Sequence, residues 1–583
     1  MTIRPARFAG ALAVIQGLVL CAAPLPAQEA PGPEWGLPAV AVDGYGRRHE
    51  VDVLHYGIAI ELPDSGRSIA GRTEILYEAR AALDSLALDF GGLEVDSVRV
   101  DGRAAVFRHQ RERLVIETPP TAPGARREVA IWYHGAPMDG LILGPNRHGD
   151  FVVFADNWPD RARYWFPGID HPSDKATVRF DVTAPSWMEV IGNGYQVDRV
   201  ELEGGLARTR WAETAEIPTY CMVIGAADFA ITEAGEAAGI EVSHWTYPAD
   251  SVAGAAAFSR STEIVGFYDS LFGPYPYEKL AHVQSSTRYG GMENSSAIFY
   301  GEQAIAGADG LDALTSLVAH ETVHQWFGDA VTEADWRHLW LSEGFATYFA
   351  AVFFEFHGGD AGRGPAELAR RMGEMKAEVI EYYLETPEPV YGEEPREYES
   401  LLTPNNYQKG AWVLHMLRRQ VGDEAFFAAI RGYYSALRDG TAWTADFERI
   451  AEEASGQDLG WFFAQWLGRA GFPVLMTEAT SGEDGATRIV VGQAQPGEPY
   501  RLDVELEVRW EGGSRRERIR TEQREAVLEV RTPGPVEEIR IDPDGWLLHE
   551  NGGVGGPESS AEAEPPGPLR ASRTGGTALA GAG

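Results

Sequence analysis

The chain has 583 residues, 44% of them hydrophobic, with 16 Trp and a formal charge of −37 at pH 7. That length exceeds a single hydrophobic core and predicts about three or four domains. The excess of acid argues against nucleic acid or an anionic membrane surface as partner, since either would repel the protein at long range.

In chain order, residues 1–27 read as an export signal. Arg4 and Arg7 lead, an apolar run extends from Phe8 to Leu20, and a small-residue end at Cys21–Ala27 predicts cleavage after Ala27. The run is too short for a membrane anchor and contains Gln16. Leu20 is bulky where a lipoprotein signal has a small residue, which disfavours lipid attachment at Cys21. The expectation is an exported protein, periplasmic or extracellular, with no stable membrane insertion after cleavage. Only Cys221 of the two cysteines then remains, so no internal disulfide is expected. Its run Tyr220–Gly225 is apolar and reads as the setting of an inert buried thiol.

Residues 28–236 show short alternating runs between Gly, Pro and Asp turns, such as 98–102, 113–117 and 129–133, and predict an antiparallel β-domain. Residues 237–471 change to helical periodicity around 258–271, 311–327, 341–357, 364–384, 406–420 and 424–436, with strands at 281–285 and 296–300. Alternation returns over 472–549, as in Leu502–Val508, and predicts a small β-sandwich. Residues 550–583 have almost no large apolar side chains and read as a disordered tail. The fold class expected is multidomain α+β.

The mixed region carries the chemistry. His320-Glu321-Thr322-Val323-His324 lies in a helical stretch, where positions i and i+4 share one face and both imidazoles can converge on a point. Glu343, nineteen residues after His324, sits in a second helical stretch among apolar neighbours, where a carboxylate needs a buried partner. Two imidazoles, one carboxylate and an open fourth position form a catalytic zinc site, with one ion per chain. Glu321 follows the first ligand and can take a proton from a water at the open position. The bland alternative is an amphipathic helix pair with two surface histidines. Upstream, Gly290-Gly291-Met292-Glu293-Asn294 reads either as a turn with a solvated Glu293, or as a close backbone approach followed by a carboxylate for a substrate's α-ammonium.

Taken together, Gly290–Asn294, His320–His324 and Trp340-Leu341-Ser342-Glu343-Gly344-Phe345-Ala346 resemble the zinc aminopeptidases of the aminopeptidase N family, the gluzincins. The likeness extends through Ala162–Pro167, Asp170–Ala176, Tyr407–Leu414 and Phe462–Leu467. It implies a thermolysin-like catalytic domain over 237–471. It also implies His320, His324 and Glu343 as zinc ligands, Glu321 as general base and Glu293 as the holder of the free amino group. Gly290, Gly291, Met292 and Asn294 would complete the substrate-binding segment. Tyr407, otherwise an aromatic packed in a helix-face core, would donate to the oxyanion. The chain departs from the family at Gly168, His171 and Ser342. At 155–160 the family's Gln is missing, and Asp156 or Asn157 would have to replace it. The activity implied is hydrolysis of the first peptide bond of peptides with a free N-terminus. The rivals are an endopeptidase or other zinc hydrolase, such as an epoxide hydrolase, on the same scaffold, and a non-catalytic secreted binding scaffold.

Overall fold

The computed structural model describes residues 43–552 apart from 306–309, 360–361, 363, 393–396 and 483–485. The export signal, Cys21 and the tail beyond Gly552 lie outside the described residues. The chain divides into two compact units, residues 1–471 and 472–583.

The first unit begins with β structure. An eight-stranded sheet runs in the order 195–201, 206–218, 175–185, 51–61, 69–79, 126–135, 94–100, 103–104. A four-stranded sheet (189–192, 224–227, 151–155, 141–145) and a three-stranded sheet (83–89, 113–121, 107–110) accompany it. The pairings are antiparallel, as expected, with one exception: Val51–Glu61 and Lys175–Pro185 run parallel, with Ile58 opposite Phe180. Parallel neighbours need a long crossover, and the intervening strands supply it. Val53, Ile58, Ile60, Val178, Phe180 and Val182 are buried in this layer.

The next sheet has five strands in the order Ala230–Ala237, Ile240–Thr246, Lys279–Ser285, Ala297–Gly301, Gly291–Met292. Its first two strands form a hairpin that spans the 236/237 boundary expected from the sequence, so the helical region takes in Ala230 as well. Gly291–Met292 is an edge strand, antiparallel to Tyr300 and Phe299.

The helix Leu311–His324 packs against its edge strand Gly291–Met292, the helix Trp340–His357 packs on Leu311–His324, and Gly410–Val421 packs in turn on Trp340–His357. Trp340–His357 is buried at every residue from Trp340 to Phe354, because it is apolar around its whole circumference and neighbours cover each side. Its own Phe345 and Phe349 pack ring to ring with Phe327, Tyr433 and Phe447, each worth roughly 1.5–3 kcal/mol of burial. The expected helix 311–327 stops at His324. Asp329 N–H donates to the His324 carbonyl at 3.0 Å, and Gly328 turns the chain at φ +126°. The expected helix 406–420 begins at Gly410 after a π-helical turn, Asn405–Lys409. Helices Thr444–Ser455 and Gly460–Leu467 escape the sequence reading.

The second unit has a four-stranded sheet (525–531, 486–493, 474–481, 550–551) and a three-stranded sheet (513–521, 502–510, 536–541). Leu502, Val504, Leu506 and Val508 alternate inward, as the sequence pattern requires. Glu550–Asn551, assigned from sequence to the tail, pairs parallel to Val474–Leu475. Among the described residues no helix is long and apolar enough to cross a membrane.

Candidate active site

His320 and His324 occupy the end of one helix and Glu343 the first turn of the next. The i, i+4 spacing brings the two Nε2 atoms to 3.1 Å, and Glu343 Oε2 lies 3.2 Å from the first and 3.4 Å from the second. Ligands about 2.0–2.2 Å from a tetrahedral zinc ion lie about 3.3–3.5 Å apart, so this triangle has the size of a zinc-ligand face. Glu343 Oε2 is buried without a hydrogen-bond partner, an orphan that a cation would satisfy. His324 Nδ1 lies 3.1 Å from the Phe327 carbonyl and 3.0 Å from Ser342 Oγ. A carbonyl only accepts, so Nδ1 carries the proton and Nε2 offers its lone pair to the centre. Ser342, a departure from the family, thus orients a ligand histidine. Gly328 has to be glycine: a Cβ there would fall 2.5 Å from Ser342 Oγ and 3.0 Å from His324 Nδ1.

Charge points the same way. Burial pushes Glu321 well above the ordinary carboxylate range, and Glu293 and Glu343 add to the push. Burial likewise raises Glu293, to about 7. Three carboxylates therefore crowd two imidazoles in a buried site, and a divalent cation balances them.

Tyr407 reaches the centre through a close helix crossing. A Cβ on Gly344 would lie 2.9 Å from Gly410 Cα, so the two backbones approach as only glycines allow. The Tyr407 hydroxyl then donates to Glu343 Oε1 at 2.7 Å, and its ring stacks on His320. Tyr407, which the residues alone place in a helix-face core and the family resemblance places at the oxyanion, lines the cleft.

The cleft has a volume of about 700 Å³, and the triad, Glu321, Glu293, Gly290, Gly291 and Met292 all face it. Glu321 lies against the edge strand, where a Cβ on Gly291 would fall 2.2 Å from its carboxylate. The close approach expected of the glycine pair is therefore one that Glu321 itself makes. Asn294 is the exception among the expected substrate-binding residues. It is fully buried outside the cleft lining, its Nδ2 donating to the Met292 carbonyl. Asp156 and Asn157 are also occupied elsewhere. Asp156 accepts from Thr287, Arg161 and Arg288, and Asn157 is held by the Thr219 and Met222 carbonyls and by Trp165. The residue of that segment lining the cleft is Trp158.

Sequence reasoning missed Gln325, fully buried and next to His324. Its Nε2 donates to the Glu293 carbonyl at 2.6 Å and to Asp329 at 2.9 Å. Its Oε1 accepts from Ser296 N–H at 2.8 Å and Tyr275 hydroxyl at 3.1 Å. One side chain thus ties the turn bearing Glu293 to the end of the zinc-ligand helix. Gln325→Met keeps the volume and removes all four bonds; kcat/KM is expected to fall about tenfold to a hundredfold with zinc content unchanged. Steady-state kinetics with elemental analysis check this, and unchanged kinetics would reduce Gln325 to core filling.

Residues 256–466 match the Peptidase family M1 domain and residues 53–221 the Peptidase M1 N-terminal domain. "Probable aminopeptidase 1" of Saccharolobus solfataricus is 29% identical over 412 residues, covering 68% of this chain and 51% of that protein. "Leucyl aminopeptidase" of the same organism is 26% identical, covering 67% and 50%. "Glutamyl aminopeptidase" of Bitis rhinoceros is 26% identical, covering 64% and 40%. The chain spans about half the length of the curated relatives it matches. The crystal structure of an M1 zinc metallopeptidase from Deinococcus radiodurans superposes with a TM-score of 0.60 at 23% identity, covering 72% of this chain and 94% of that one, which shows a shared fold. With both M1 domains matched in order along one chain, around a triangle of His320, His324 and Glu343 sized for zinc, the protein belongs to peptidase family M1.

Proposed function

We propose that the protein is a zinc aminopeptidase that removes the first residue of peptides with a free N-terminus. The observation that carries this reading is Glu293. The residue is 7% exposed, lines the same cleft as the metal triad and forms no ion pair with any described residue. A buried carboxylate without a counter-charge is costly, and a substrate ammonium supplies the missing charge while fixing the peptide's register.

When bound, the zinc ion supplies Lewis acidity at the open side of the triangle. Glu321 accepts a proton from the attacking water and returns it to the nitrogen of the leaving peptide. The Tyr407 hydroxyl turns from Glu343 to the substrate oxygen as charge develops there, a contribution of about 3 kcal/mol for a well-placed donor. The edge strand Gly291–Met292 offers free main-chain groups along which an extended peptide aligns. The relatives' names support this activity, and the sequence pattern of an export signal over residues 1–27 supports an exported enzyme acting in the periplasm or outside the cell.

The test compares free and N-acetylated peptides, with the wild type and with Glu293→Gln. The free peptides are expected to be cleaved at least about a hundredfold faster by the wild type, and the variant to lose most of that ratio. Equal cleavage of both by the wild type would make the enzyme an endopeptidase and remove the amine-anchoring role.

A further inference from the structure

We propose that the amino end of the cleft selects peptides whose first side chain is aromatic or large aliphatic, and that Trp158 and Tyr289 set this preference. The proposal rests on the aminopeptidase reading, which fixes where the first residue sits.

The helix Leu311–His324 runs along the cleft. Asp312 precedes His320 by eight residues, about 12 Å along the axis, and Arg370, Arg371 and Glu374 line the cleft with it. That end receives the leaving peptide. Glu293 is tied through Gln325 to the opposite end of the helix. A residue whose ammonium is held at Glu293 presents its side chain to the cleft walls beside it. Tyr289 and Met292 precede Glu293 in sequence and line the same cleft, and Trp158 stands edge-on to Tyr289 with ring centroids 5.9 Å apart.

Among the described residues, nothing at that wall suits a charged side chain. The basic ones among the described residues that line the cleft are Arg370 and Arg371, both engaged at the far end. Arg370 pairs with Glu367 and Glu374, and Arg371 with Asp312 and Glu367. Behind the wall, the Arg161 guanidinium donates to Asp156 and lies over the Tyr289 ring. The charge that an acidic first residue would need is thus already matched and screened by the ring. Asp156 and Asn157, the polar residues before Trp158, are likewise consumed internally. What remains is an indole, a phenol ring and a thioether, a surface that gains from burying apolar area. An acidic side chain would also face the Glu293 carboxylate.

The experiment is a panel of Phe-, Leu-, Ala-, Glu- and Lys-arylamides with the full-length, zinc-loaded protein and with Trp158→Ala and Tyr289→Ala. Phe and Leu substrates are expected to exceed Ala by about tenfold or more in kcat/KM and Glu by more still. Each variant is expected to lower the Phe/Ala ratio about tenfold. Trp158 also packs on Trp336, so the half-buried Tyr289 provides the variant less exposed to misfolding. A Glu or Lys optimum, a flat profile, or variants that lower every substrate equally would overturn the proposal. Cleavage of no arylamide at all, alongside cleavage of blocked peptides, would overturn the aminopeptidase reading and this proposal with it.

Discussion

Glu321→Gln is expected to lower kcat/KM about 10³–10⁴-fold while zinc stays bound at one ion per chain. The loss is that of a general base, because an amide cannot accept the water proton. Glu321 lies outside the ligand triangle of His320, His324 and Glu343, so the metal does not depend on it. The substitution is nearly isosteric, which matters because the Glu321 carboxylate fills the space left by the missing Cβ of Gly291. Gln fits the same gap, and stability should hold or rise, since a neutral amide is cheaper to bury among Glu293 and Glu343 than a carboxylate. The measurements are kcat/KM on a free-amine arylamide, zinc by elemental analysis and a thermal melt. A variant that keeps more than about a hundredth of wild-type activity refutes the assignment, given the smallest effect typical of a lost general base.

The parts of the site legible in the sequence are those that local geometry specifies. His320 and His324 share a face because a helix places i and i+4 together, and that holds before any tertiary contact forms. Glu343 needs two helices to cross, and periodicity alone left surface histidines open as an alternative; the family spacing narrowed that choice. Tyr407 was invisible to periodicity. Its place depends on Gly344 meeting Gly410, two glycines far apart in the chain whose only signal is what they lack. Gln325 was missed for a related reason. Its four partners come from Tyr275, Glu293, Ser296 and Asp329, and no pattern within a window reveals such a network. Sheet pairing shows the same limit. Alternation marked the strands, yet it carries no information on direction, so the parallel pairing of Val51–Glu61 with Lys175–Pro185 came from topology alone. Likewise Glu550–Asn551 has no apolar side chain to mark it as a strand, and is one because Val474–Leu475 offers main-chain partners.

Glu343→Ala is expected to have the other large effect, through the metal itself. The carboxylate does three things at once. It closes the ligand triangle at 3.2 and 3.4 Å from the two imidazoles, accepts from Tyr407, and helps hold His324 in its charged form when no cation is present. Without it the site has two neutral ligands and no anionic one, too few for a tetrahedral zinc centre. Zinc content should fall below about a tenth of an ion per chain after dialysis, with activity lost to the same extent. The coupling of metal to folding separates this from a simple catalytic defect. A ligand present at about a thousand times its Kd stabilises the folded state by about 4 kcal/mol. Wild-type protein should therefore melt measurably higher with zinc than with chelator, whereas Glu343→Ala should melt alike in both. Re-adding zinc should restore the chelated wild type and leave the variant inactive. Stoichiometric zinc in Glu343→Ala, with the thermal shift intact, would mean that the third ligand is some other group, and the triangle of His320, His324 and Glu343 would no longer define the centre.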